Sequence, residues 1–154
     1  MLADDPANFD ALNLLGGIFL KSGKVDDAIR LLERAVDIRP EAVPALHQLG
    51  MARMATREWD EAVRVLERAI MFAPDYVPAH ESLAYLLYGQ GRLAAAADAF
   101  AAVAHLQPQS AAAHNNLGTT LGQLGRHREA LAAYEHALLV EPRHPFALLN
   151  YAQL

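Results

Sequence analysis

The chain has 154 residues, 53% of them apolar, with 13 Lys plus Arg against 18 Asp plus Glu, a formal net charge of −5 and no cysteine. This is the composition of a globular domain, and it excludes a disordered tail, a collagen-like chain and a disulfide scaffold. The acidic balance gives no basic field for nucleic acid or an anionic membrane surface, and without thiols there is no cysteine nucleophile or thiolate zinc site.

Read from the N-terminus, the first apolar run, Ala11 to Leu20, is interrupted by Asn13 and preceded by Asp4, Asp5 and Asp10. That is the opposite of a basic signal-peptide start, and the run is too short to span a bilayer, so the cytoplasm is the default expectation. The same region opens a repeat. Prolines stand at Pro6, Pro40, Pro74, Pro108 and Pro142, each 34 residues after the last. Other columns keep this step: Ala11, Ala45, Ala79, Ala113 and Ala147; Leu15, Leu49, Leu83 and Leu117; Gly16, Gly50, Ala84 and Gly118; Ala28, Ala62, Ala96 and Ala130; Leu32, Leu66, Phe100 and Tyr134. A fixed period of this length is the signature of a stacked array.

Within each unit the apolar residues recur at helical spacing, as in Leu12, Leu15, Gly16 and Phe19 and then Ala28, Leu31, Leu32, Ala35 and Val36. The pattern predicts first helices near 9–22, 43–56, 77–90 and 111–124 and second helices near 25–38, 59–72, 93–106 and 127–140, with a further helix from Pro145 to Leu154. Gly23, Gly91 and Gly125 suit the left-handed residue that ends a helix, and Arg57 stands in the same column, where that conformation costs about 1 kcal/mol relative to Gly. The proline column forms the second break, and Pro44, Pro78 and Pro145 suit the first turn of the following helix. The small column at Gly16, Gly50, Ala84 and Gly118 is expected to face Ala28, Ala62, Ala96 and Ala130 and let paired helices approach closely. No pair can bury both of its faces alone, so stacking into a solenoid is expected.

These residues resemble the tetratricopeptide repeat family. The first unit matches its positions in order with Leu12, Leu15, Gly16, Phe19, Gly23, Ala28, Leu32, Ala35 and Pro40. The resemblance implies an all-α, right-handed superhelical solenoid of antiparallel helix pairs. The expected division is 1–8 as the tail of a preceding repeat, repeats at 9–42, 43–76, 77–110 and 111–144, and 145–154 as the first helix of a truncated fifth, in one continuous array. Arg53, Arg57, His80 and His114 depart from the family pattern.

The family generally acts as a protein-binding scaffold, with its first helices lining a concave groove. Family geometry would place there Asn13, His47, Gln48, Met51, Met54, Glu81, Ser82, Tyr85, Tyr88, Asn115, Asn116, Thr119 and Asn150. The thioethers and tyrosines at the middle suit apolar side chains of a partner. One column, Gln48, Ser82, Asn116 and Asn150, is a polar ladder suited to a peptide backbone, broken by Leu14 in the first unit. The stretch from Ala113 to Gly118 is similar to the asparagine-lined groove of the tetratricopeptide part of O-linked N-acetylglucosamine transferases. The carboxylate-clamp subset of the family is not matched, since Asn13 and Gly17 stand where it needs Lys and Asn, and Pro78 and Ser82 where it needs further cations.

No catalytic constellation emerges. None of the three Ser and three Thr sits in a Gly-x-Ser-x-Gly elbow, no glycine pair continues into a phosphate loop, and the seven His contain no His-Glu-x-x-His. A non-enzymatic chain without cofactor or metal is expected, binding a peptide or helix of a protein partner of unknown identity, with no nucleic acid and no membrane insertion. The alternatives are a docking module of a larger enzyme such as a glycosyltransferase, and a self-associating array. Phe146, Leu148, Leu149, Tyr151 and Leu154 are apolar on more than one face, unlike the polar caps that end solenoids. They raise the expectation of a fragment of a longer array or of an end-to-end homo-oligomer through 145–154.

Overall fold

The computed structural model describes residues 6–154; Met1–Asp5, assigned above to the tail of a preceding repeat, lie outside the described residues. The described residues form nine helices and no strand: α1 Pro6–Lys21, α2 Val25–Ile38, α3 Val43–Ala55, α4 Trp59–Phe72, α5 Val77–Gly89, α6 Leu93–Leu106, α7 Ala111–Gln123, α8 His127–Val140 and α9 Pro145–Gln153. The all-α pattern of paired helices expected from the periodicity is present. α1 begins earlier than expected, at Pro6, because a proline needs no partner for the N–H it lacks in a helix's first turn.

The turns inside the pairs share one geometry. Gly23, Gly91 and Gly125 have φ of 78°, 71° and 74°, and Arg57 adopts 62° in the same place. In each, the following amide reaches back five residues: Lys24 N–H to Phe19 C=O at 2.9 Å, Glu58 to Arg53 at 3.0 Å, Arg92 to Leu87 at 2.9 Å and Arg126 to Leu121 at 2.9 Å. This is the hydrogen-bonded helix stop that left-handed residues make. Between pairs, Arg39, Ala73, Gln107 and Glu141 turn to extended φ from −126° to −139°, as the residue before a proline is obliged to do.

The chain divides into two compact units, Met1–Ser82 and Leu83–Leu154. In the first, α1 packs on α2, α2 on α3 and α3 on α4, and α1 also touches α3. Leu32, Leu46 and Leu66 are fully buried there, each contributing about 1.5–3 kcal/mol by leaving water. In the second, α7 packs on α6 and α8, and α9 on α8 and α7, with Phe100 and Tyr134 in the core. The small column receives large side chains of the second helices. A Cβ on Gly16 would meet Leu32 Cγ at 2.6 Å, one on Gly50 would meet Leu66 Cδ2 at 2.7 Å, and one on Gly118 would meet Tyr134 Cε1 at 2.6 Å. Each glycine is a socket for the large residue one turn further along the second helix. Ala84 shares a cluster with Phe100 in the same way.

The departures from the family pattern have local explanations. Arg53, in α3, pairs with Glu33 of α2 and with Glu58, which also accepts from Thr56 Oγ1 at 2.7 Å. The bonds from Thr56 and Arg53 hold the Glu58 carboxyl below the usual carboxylate range. His80 and His114 each meet the carbonyl of the proline six residues earlier, Pro74 at 2.8 Å and Pro108 at 3.1 Å, and so fasten the turn ahead of their own helix. Leu15 differs from its column. It is 43% exposed, where Leu49 and Leu83 are buried.

Candidate functional site

In the first unit, α1 and α3 lie side by side and enclose a trench of about 620 Å³. Leu14, Ile18, Leu20 and Met51 supply its apolar surface, and Asn13, Lys21, His47 and Gln48 its polar groups. Leu14 is 65% exposed, Ile18 49% and Met51 43%. Residues four apart share a helix face, which puts Leu14 and Ile18 on one rim and lines up His47 and Met51 opposite. Gly17 admits the Gln48 side chain, whose Oε1 lies 2.6 Å from where a Cβ on Gly17 would stand. That oxygen and Asn13 Oδ1 are enclosed, and neither has a hydrogen-bond donor among the described residues.

His47 is held on two sides. Its Nε2 is 3.0 Å from Ser82 Oγ, and its ring meets Tyr76 edge-on with centroids 5.6 Å apart. Burial lowers its pKa from the ordinary 6.5, partly offset by a hydrogen bond with the Pro78 backbone. Met54 is half-buried and does not line the trench, and Glu81 is half-buried on α5. Ile18 was missing from the residues expected at the site, although its place one turn after Leu14 was visible in the sequence.

The second unit treats its expected site residues differently. Tyr85 is 53% exposed, with its ring edge-on to Phe100 at 5.2 Å and its hydroxyl accepting from Asn116 Nδ2 at 2.8 Å. Tyr88 also meets Phe100 edge-on, at 6.4 Å, and its hydroxyl accepts from the Gln123 side-chain amide. Asn115 is only 8% exposed. It is an interior group: its Oδ1 accepts from Asn150 Nδ2 at 3.2 Å, joining α7 to α9, and its backbone carbonyl accepts from Thr119 Oγ1 at 2.9 Å. The same hydroxyl oxygen accepts from Asn150 Nδ2 and from Tyr134 Oη, both at 3.3 Å. The polar ladder is thus largely engaged within each unit, Ser82 with His47 and Asn116 and Asn150 with their neighbours, while the Gln48 oxygen is enclosed without a donor.

Among the described residues no three His, Asp or Glu side chains gather where a metal ion could be held, and no helix is long and apolar enough to cross a membrane. Helix hairpins with glycine sockets, repeated at a fixed period and carrying a side-chain-lined trench, define a helical-repeat protein of the interaction-scaffold class. Tetratricopeptide repeat family models match residues 1–53, 19–85 and 53–119, and a second such model matches 111–144. The chain belongs to the tetratricopeptide repeat family, whose members are generally non-enzymatic. No curated protein matches the sequence. Among solved structures it is similar to MamA: one crystal structure is 27% identical, covering 90% of this chain and 81% of that one, with a TM-score of 0.82. A second MamA crystal structure is 23% identical over 95% of this chain and 80% of that one, with a TM-score of 0.85. MamA from Desulfovibrio magneticus RS-1 is 17% identical, covering 95% of this chain and 92% of that one, with a TM-score of 0.78. At the two lower identities the likeness is one of fold.

Proposed function

We propose that this chain is a non-enzymatic scaffold that takes a peptide or helix of a partner protein on the groove faces of its first helices. The observation that carries this reading is the set of exposed apolar side chains there, Leu14, Ile18 and Met51 in one unit and Tyr85 in the other, each set beside polar groups. Apolar surface rimmed by polar residues marks an interaction site, and tyrosine and methionine are enriched where partners are gripped. The remaining proposed contacts are Asn13, His47, Gln48, Met54, Glu81, Ser82, Tyr88, Asn116, Thr119 and Asn150. Asn115 acts behind them by holding Asn150.

The test is retention of a partner on the immobilised chain. Met51→Glu combined with Tyr85→Glu is expected to abolish retention while the helical circular dichroism is unchanged, and Leu139→Glu on α8 is expected to leave it intact. Loss of the partner with Leu139→Glu alone would move the binding surface to the second helices and end this reading.

A second reading, self-association, is favoured by Leu139, Phe146 and Leu149, which are 78%, 64% and 56% exposed on α8 and α9. It predicts an apparent mass that rises with concentration and falls back with Phe146→Glu.

A further inference from the structure

The two units carry the same groove on their second helices and fill it differently. In the first unit its walls come from α2 and α4 and its floor from α3; the volume is about 330 Å³, and Glu33, Asp37, Arg53, Glu61 and Arg68 line it. These side chains answer one another or the backbone: Arg53 pairs with Glu33, and Arg68 donates to Pro40 C=O at 3.3 Å. Two periods later, with walls from α6 and α8 and a floor from α7, the volume is about 500 Å³. There His105 stands in the column of Asp37, Leu121 in that of Arg53, Ala133 in that of Val65 and His136 in that of Arg68. A third imidazole, His114, takes the column of the buried Leu46. The long charged chains are gone, and three imidazoles stand around a floor that includes Leu117, Leu121 and Ala133.

The polar groups of this groove favour an anion over a cation. Its one carboxylate, Glu129, is taken up on both oxygens by Arg126, Nε to Oε1 at 2.7 Å and Nη2 to Oε2 at 2.6 Å. His114 Nε2 lies 3.1 Å from Pro108 C=O. A carbonyl only accepts, so Nε2 carries the hydrogen and Nδ1 is left to take up a proton. The His114 and His136 rings are stacked, with 5.4 Å between centroids and 21° between planes. Rings so nearly parallel do not turn their nitrogens on one point, as the ligands of a metal must. Two positive rings at that distance repel, so the pair carries one charge more readily than two. We propose that the α6–α8 groove binds a small carboxylic acid with an apolar body. The single negative charge meets the His114 and His136 pair, and the body lies on Leu117, Leu121 and Ala133. The volume is that of a small-molecule site, and exposed His105 and His136 leave its entrance open. This site is separate from the first-helix faces that the scaffold reading assigns to a protein partner.

The test is isothermal titration of the whole chain with phenylacetate at pH 6 and pH 8. The ligand stays ionised over this range, whereas imidazole is the side chain that ordinarily changes charge within it. Binding is expected to be about tenfold tighter at pH 6. Phenylacetamide, of the same shape without the charge, is expected to bind equally weakly at both. Acetate, without the body, should bind about tenfold more weakly than phenylacetate at pH 6. His136→Gln, at an exposed position, is expected to remove most of the gain at pH 6. His114→Leu combined with it should remove the rest, and Leu46 shows that this column accepts leucine. His127→Gln, on the same helix and outside the groove, should change nothing. No saturation by phenylacetate at pH 6 would overturn the site. So would phenylacetamide binding as tightly there, or a pH gain that survives the double variant or is lost with His127→Gln. Acetate binding as tightly as phenylacetate would overturn the apolar floor.

Discussion

The two units have the same helix hairpins and turns and dispose of their polar side chains in opposite ways. In the second, Tyr85 is bonded to Asn116, Tyr88 to Gln123, and Asn150 to Asn115 and Thr119. In the first, His47 is bonded to Ser82, but the carbonyl oxygens of Asn13 and Gln48 are enclosed with no donor to meet them. A satisfied polar network rigidifies its surroundings, whereas a buried unsatisfied acceptor is a standing cost. The cost of buried polar groups is therefore unevenly divided, and substitutions that look alike should act differently in the two places.

The glycines give the largest contrast. Gly118→Ala would set a methyl 2.6 Å from the Tyr134 ring, which is 3% exposed and tied through its hydroxyl to Thr119. The ring has nowhere to move, and the loss should be about 1–3 kcal/mol, as for other overpacked cores. Gly17→Ala meets only the far end of the Gln48 side chain and relieves a helical glycine. Its stability should rise by up to about 1 kcal/mol. Urea denaturation of both variants checks the signs. A Gly17→Ala loss as large as that of Gly118→Ala would erase the distinction.

Asn115→Leu probes the closed network directly. It removes the acceptor that Asn150 uses across α7 and α9 at a position 8% exposed. Asn150 keeps a partner in Thr119, so the expected cost is about 1–2 kcal/mol. The matching removal in the trench, Gln48→Met, should cost nothing. Thermal melts of the two variants side by side decide whether the amides of the two units really differ.

The helices and their stops were legible in the sequence because they depend on residue types at fixed spacing: a proline column, a glycine column, apolar residues three and four apart. The sockets were only half legible. Gly16 and Ala28 keep the same period, but the direction in which a helical side chain leans decides that Leu32, and not Ala28, enters the socket. The hydrogen-bond partners were not legible at all. Asn115 and Asn116 are adjacent, and the period assigned both to the groove, yet a turn of about 100° per residue puts one against α9 and the other beside Tyr85. Whether an amide is free or engaged depends on a neighbour some 31 to 35 residues away.

The turns offer a smaller test. Arg57 has φ of 62° where the second unit places Gly91 and Gly125 at 71° and 74°. Arg57→Gly should stabilise the first unit by about 1 kcal/mol, and Gly125→Arg should destabilise the second by a similar amount. Urea midpoints moving in opposite directions would support this; equal shifts of one sign would mean that the Arg57 side chain contributes something its backbone angle does not reveal.

The smallest expected effect belongs to His47. Burial holds its pKa below the ordinary 6.5, so the unfolded chain takes up the proton first as the pH falls. The protons bound on unfolding then make stability decline as pH drops through about 6.5 toward the folded-state value, and level off below it. His47→Gln removes the titrating group and keeps a side chain able to bond Ser82. The stability of the parent chain relative to this variant, from urea midpoints at pH 7.5 and 5.5, should therefore be greater at the higher pH. A difference of the opposite sign would mean that His47 gains a partner for its proton in the folded chain.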